Sequence, residues 1–207
     1  FKQKTAYEIS LGLVGSEMCI RDRHTVTTGA IQAVTEVFSD VSVLYFDAHA
    51  DLRNDFMGSC WGHASVARRI HEICPIVHVG LRSCATEELF FIRDKQIPVF
   101  FWTVSNCPVD LTKLASDILG HLSNQVYISI DLDVLDPSIM SAVGTPEPGG
   151  MLWHEIINLL KLISNERKII GFDVTELSPS EGSESCSYTA AKLVYKLIGY
   201  AKRPKDV

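Results

Sequence analysis

The sequence predicts an α/β fold of three layers, with a mainly parallel sheet between helices. Three observations point there. Strand-length apolar runs alternate with helix-patterned segments along the chain. Those runs are near-continuously apolar rather than alternating, as expected of strands buried on both faces. The chemistry-bearing residues gather in three connections that follow strands, where open α/β sheets place their ligands. A length of 207 residues, 46% of them hydrophobic, suits one globular domain with a sizeable core.

The elements follow in order. Residues 25–38 (TVTTGAIQAVTEVF) have helical spacing, with threonines available as caps. Residues 41–46 (VSVLYF) read as a strand, 62–73 (GHASVARRIHEI) as a helix closed by Pro75, and 76–80 (IVHVG) as a strand. Residues 86–94 (TEELFFIRD) read as a helix with Thr86 as its cap and acids in its first turn. A strand at 97–101 and a helix at 110–122 capped by Asp110 come next. They are followed by a strand at 126–130, a helix at 152–164, a strand at 168–174 and a closing helix at 187–201.

Residues 1–23 (FKQKTAYEISLGLVGSEMCIRDR) show no helical or strand period and lead poorly into the helical pattern at 25–38. They resemble translated sequencing-adapter read-through, and are set aside as a foreign or disordered N-terminal segment. The domain is therefore placed at 24–207.

Several classes drop out on composition. Net charge is −6 with no basic block, which argues against a nucleic-acid partner. No apolar run reaches the roughly 20 residues of a membrane span. Six cysteines (Cys19, Cys60, Cys74, Cys84, Cys107 and Cys186) form neither a CxxC pair nor a dense framework, and read as reduced thiols.

The stretch YFDAHADLR (45–53) carries the first chemical signal. Asp47, His49 and Asp51 leave a buried strand at strict alternation, and in extended backbone they share one side. Two carboxylates and an imidazole held together away from water call for a positive partner, most economically a divalent cation. SIDLDVLDPS (129–138) repeats the pattern with Asp131 and Asp133, while Asp136 before Pro137 reads as a turn residue. Asp47, His49, Asp51, Asp131 and Asp133 carry a net −4 with His49 neutral, which two divalent cations would balance. Asp47 and Asp131, each first off its strand, are the natural bridges. His24 is a candidate further neutral ligand, with a surface histidine as the alternative. DVTELSPS (173–180) offers Glu176 from a third strand end; Asp173, one place off that alternation, ranks below it, with a supporting or structural acid as the alternative. His63, entering the 62–73 helix and offset from the ligands, suits a general acid/base or proton shuttle, or else a helix-end histidine.

Together FDAHADLR, SIDLDVLDPS, GTPEPGG (144–150) and DVTELSP resemble the ureohydrolases, the arginase and agmatinase family, over residues 24–201. The resemblance implies an arginase/deacetylase-like three-layer fold, two Mn²⁺ per chain, and hydrolysis of a guanidino group to urea. It also implies that His24 opens the helix before the first Asp motif, although RDR stands where the family has Gly-Gly-acid. On that departure the chain is expected to be an N-terminally truncated, partial catalytic domain. HADLR…GHASVARRI and GTPEPGG are more similar to agmatinases than to arginases. The expected reaction is agmatine to urea and putrescine. Guanidinobutyrase or arginase chemistry, or an impaired or non-enzymatic relative, are the alternatives.

The implied metal set is His24, Asp47, His49, Asp51, Asp131 and Asp133. The implied catalytic set is His63, Asp131 and Glu176, with Glu176 and His63 also contacting substrate. The ions would acidify the attacking water, and Glu176 would pair with the guanidinium. Asp131 or Asp51 would accept a proton, and His63 would protonate the departing amine. The family resemblance further implies a homo-oligomer, a trimer or hexamer, acting on a small guanidino substrate in the cytoplasm or the mitochondrion.

Overall fold

A computed structural model describes residues 20–21, 24–103 and 109–202, with the backbone alone at 20–21. Residues 1–19, 22–23, 104–108 and 203–207, with Cys19 and Cys107 among them, lie outside the described residues. Six parallel strands form one sheet in the order β1-β6-β5-β2-β3-β4. They are β1 (Ile20–Arg21), β2 (Val41–Phe46), β3 (Ile76–Val79), β4 (Val99–Phe100), β5 (Gln125–Asp131) and β6 (Lys168–Thr175). The helices are α1 (Val26–Val37), α2 (Val66–His71), α3 (Thr86–Lys95), α4 (Leu111–Leu119), α5 (Trp153–Glu166) and α6 (Glu184–Ala201).

Alternation within the strands builds the two cores. On β2, Leu44 and Phe46 face one side and pack with Ile118 of α4, Ile156 of α5 and Leu193 of α6. Val43 and Tyr45 face the other and pack with Ile31 of α1, Ile70 of α2 and Ile92 of α3. Both faces are thus covered, which is why the strands read as unbroken apolar runs.

The connectivity positions the site. From β2 the chain moves outward to β3 and β4, then returns to place β5 on the opposite side of β2, followed by β6. The β2/β5 boundary is therefore the switch point, the place where crevices open in sheets of this kind. The three strands whose exits carry the acidic motifs, β2, β5 and β6, are neighbours.

Some local expectations need correction. Thr86 is the first helical residue of α3, not its cap. Ala85 occupies the cap, and Glu88 satisfies the free backbone donors by accepting from Ala85 N–H at 2.7 Å and Leu52 N–H at 2.9 Å. The 62–73 helix divides into a 3₁₀ turn, His63–Ser65, and the short α2. Ile20–Arg21, within the segment set aside on sequence, pair in parallel with Val174 and Thr175 of β6. Asp110 does cap α4, accepting from Thr112 and Lys113 N–H at 3.0 Å each.

Candidate active site

Asp47 follows β2, Asp131 ends β5, and Glu176 follows β6, so three adjacent carboxyl ends deliver acids to one crevice. Gly80 lets the β3 exit lie against the β2 exit. Its φ is +105°, and a Cβ there would stand 2.3 Å from Val134 Cγ2 and 3.1 Å from the Asp47 carbonyl oxygen.

Two ligand-like groups meet at Asp47: His24 with Asp47 and Asp51, and His49 with Asp47 and Asp133. His24 Nδ1 stands 3.2 Å from Asp47 Oδ2, 3.1 Å from Asp131 Oδ2 and 3.9 Å from Asp51 Oδ2. His49 Nδ1 stands 2.8 Å from Asp133 Oδ2 and 3.6 Å from Asp47 Oδ1. All six residues expected to hold metal are therefore brought together. His24 is fully buried rather than on the surface. Simple alternation does not account for the convergence, because Asp51 adopts left-handed backbone, φ 53°. Its carboxylate accepts from the Tyr45 hydroxyl at 2.9 Å. Glu176 is likewise left-handed, φ 63°. Two non-glycine residues in this sparsely populated region at one site mark backbone held there by its surroundings.

A cavity of about 620 Å³ opens over the cluster. Asp47, His49, Asp51, Asp131, Asp133, His63 and Glu176 all line it, and His24 lies behind Asp47 and Asp131. Glu176 Oε1 accepts from the His24 backbone N–H. His63 is exposed, with its ring edge-on to Phe56 at 5.5 Å.

Electrostatics show what the cluster lacks. Burial pushes Asp51 and Asp131 well above the usual carboxylate range and raises Asp133, with neighbouring acids adding to each shift. Burial opposes charge on His49, yet Asp133 and Asp47 push it up to about 11. His24 is likewise raised against burial by Asp131 and Asp47. Asp47 is held low by both imidazoles although burial works the other way. The acids thus favour the charged form of both imidazoles, and burial among one another disfavours their own.

Divalent cations fit the same places. Asp47 Oδ2 is buried and receives no hydrogen bond of its own. Ligand atoms about 2.1 Å from an ion at 90–110° lie about 3.0–3.4 Å apart, close to the 3.1 and 3.2 Å separations around His24 Nδ1. The oxygen-rich donor set with two imidazoles suits Mn²⁺ among other first-row ions.

Sequence reasoning gave no role to three members of a polar row lying one pleat inside the ligands, His78, Tyr45 and Ser129. His78, Tyr45, Ser129 and Asp173 are register neighbours across β3, β2, β5 and β6. The signal was available: Tyr45 and Ser129 share the alternation of Asp47 and Asp131. Asp173, ranked below Glu176 on sequence, accepts from Ser129 Oγ at 2.8 Å and Tyr127 Oη at 2.9 Å. Arg82 and Glu147 were also missed. Arg82 donates to the carbonyls of Asp133 and Glu147 at 2.7 Å each, and Glu147 Oε1 stands 3.6 Å from His49 Nε2.

Comparison with known proteins agrees with this geometry. The arginase family model matches residues 23–199. An N(1)-aminopropylagmatine ureohydrolase of Synechocystis sp. is 38% identical over 186 residues, 88% of this chain and 60% of that protein. An agmatinase of Pyrococcus horikoshii is 38% identical over 169 residues, 81% of this chain and 58% of that one. The chain thus spans about 60% of the length of these curated relatives. Among solved structures, an agmatine ureohydrolase of Thermoplasma volcanium superposes with a TM-score of 0.79 at 30% identity, covering 95% of this chain and 67% of that one. With its three-layer parallel fold and acid-lined crevice, the chain belongs to the arginase family.

Proposed function

We propose that this chain carries the binuclear manganese centre of a ureohydrolase that cleaves the guanidino group of agmatine to urea and putrescine. The observation carrying this reading is that Asp47 is shared between two imidazole–carboxylate groups beneath one cavity. With the four aspartates offset by the cations, the lining keeps Glu88 and Glu176 against Arg53. Such a surface favours a substrate that is cationic at both ends, as agmatine is, over arginine with its α-carboxylate. N(1)-aminopropylagmatine is the second reading: it is named for a 38%-identical relative, and it adds a further amine that the same acids would attract.

When bound, the two cations would lower the pKa of water so that a nucleophile is available near neutral pH. Glu176, anchored through Oε1 by the His24 backbone N–H, pairs with the guanidinium and fixes its plane over the cluster. Asp131 or Asp51 takes up the proton released as water adds to the guanidinium carbon. His63, exposed at the cavity wall, delivers a proton to the departing amine.

Urea release with Mn²⁺ is measured against agmatine, N(1)-aminopropylagmatine, arginine and 4-guanidinobutyrate, beside metal content by mass spectrometry. Agmatine is expected to give the highest kcat/KM, with two ions per chain. Glu176→Gln keeps both ions and loses about 10- to 150-fold in kcat/KM, the equivalent of one charge-assisted contact of about 1.5–3 kcal/mol. His63→Asn keeps both ions and lowers kcat, whereas Asp131→Asn loses metal and activity together. Glu176→Gln emptying a metal position would refute the role given to Glu176.

A further inference from the structure

A proton donor must be aimed as well as present. A catalytic histidine is ordinarily oriented by a polar group on its other ring nitrogen. His63 has no such group. Among the described residues no hydrogen bond or ion pair reaches its ring, although the side chain is exposed and lines the cavity. What the ring does meet is Phe56, with the centroids 5.5 Å apart and the planes at 75°.

Phe56 is itself held. Its N–H donates to the Ser59 carbonyl at 2.9 Å, and its carbonyl accepts from the Ser59 N–H at 3.0 Å. The two residues inside that pair, Met57 (φ 52°) and Gly58 (φ 79°), are both left-handed, as a type I′ turn requires. At the base of the same loop, Arg53 N–H donates to the Ala64 carbonyl at 3.0 Å. The Arg53 guanidinium carbon lies 5.2 Å over the Phe56 ring, and Arg53 Nε stands 3.9 Å from Glu87 Oε1 in the first turn of α3. Loop 53–64 is thus tied at its tip and at its base, and the Phe56 ring meets both Arg53 and His63.

The geometry points to Phe56 as a positioning residue that, backed by Arg53, holds the His63 ring at the cavity for proton delivery. The inference rests on the role proposed above for His63. An exposed imidazole has several staggered positions open to it. An edge-to-face aromatic pair favours one of them by a factor of about 2 to 12, the equivalent of about 0.5–1.5 kcal/mol. A carboxylate in the same place would compete for the proton, whereas a phenyl ring offers it no lone pair.

Two measurements test this: imidazole NMR of the metal-free chain, with the His63 signal assigned by its absence in His63→Asn, and urea release from agmatine with Mn²⁺. Phe56 is half-buried on a loop, so the fold should survive its replacement, which melting checks. In Phe56→Leu, which keeps an apolar group but no ring, the His63 signal should move to the position of a free histidine and narrow. Phe56→Leu should keep both ions and lower kcat by about 2- to 12-fold with KM little changed. Phe56→Tyr, which keeps the ring, should restore the signal and most of the kcat. In a His63→Asn background Phe56→Leu should cost nothing further, because the partner is already gone. If Phe56 served only as cavity wall, KM would rise instead and the loss would persist in His63→Asn. Either of those results, an unchanged kcat, or a His63 signal unmoved by Phe56→Leu overturns the inference and leaves the proposed function standing. If the unsubstituted chain releases no urea, both fall.

Discussion

At the scale of single residues, the polar row beneath the ligands contains one group that the proposed chemistry leaves unused. His78 is 2% exposed, neither ring nitrogen has a hydrogen-bond partner, and its ring leans on Tyr45 at 5.2 Å. Burial lowers its pKa to about 4, despite the attraction of Asp47 for the charged form. The unfolded chain, with an ordinary value near 6.5, therefore takes up the proton first. Stability is lost as pH falls from about 6.5 and levels out below about 4, by about 3 kcal/mol for this residue alone. In EDTA, His78→Phe should flatten the fall in melting temperature over that window relative to the unsubstituted chain. An unchanged slope would mean that His78 keeps a normal pKa. Buried acids such as Asp51 and Asp131, whose values are raised, act in the opposite sense. For that reason the difference between the two proteins, rather than either curve, isolates His78.

At the scale of elements, the β5 exit and the 145–150 loop are tied by Arg82. Its guanidinium donates to the carbonyls of Gly80, Asp133, Val134, Glu147 and Pro148 at 2.7–3.3 Å. Asp136 completes the tie, accepting from Gly149 and Gly150 N–H at 2.9 and 3.1 Å. A planar fork with five donors can serve this many carbonyls; an ammonium cannot. Arg82→Lys should therefore behave more like Arg82→Met than like the unsubstituted chain. Each should cost about 1.5–3 kcal/mol in urea unfolding, the scale of hydrogen bonds from a charged donor. Full recovery by lysine would show that charge, not geometry, matters. The helices and strands from α1 onward were legible, because hydrophobic period reports burial and burial made them; β1, two residues in a stretch without period, was not. Arg82 was not, since five carbonyl partners leave no mark on side-chain chemistry. The Asp motifs were legible because carboxylates leaving an apolar strand have few structural uses. Tyr45, Ser129 and Asp173 could be aligned only once strand register was known.

At the scale of the whole molecule, four buried aspartates meet at the centre of one parallel sheet, and their mutual repulsion is a cost that folding must meet. Without an ion, the acids raise the pKa of His24 and His49, so protons on these imidazoles would offset it. Cations at the same places would displace those protons and bind the folded chain far better than the unfolded one, where the six residues are scattered from 24 to 133. At free Mn²⁺ of about 100 times Kd, one site adds about 2.7 kcal/mol. For a chain of this size that raises the melting temperature by about 5–11 °C per site. The gain should vanish with EDTA and shrink as pH falls, because protons and metal compete for the same imidazoles. Asp47→Asn should remove most of it at once, since Asp47 belongs to both ligand groups. Asp133→Asn should spare the half built on His24, whose carboxylate neighbours are Asp47, Asp51 and Asp131. Equal losses in the two variants, measured by melting at fixed Mn²⁺, would overturn Asp47 as the shared ligand.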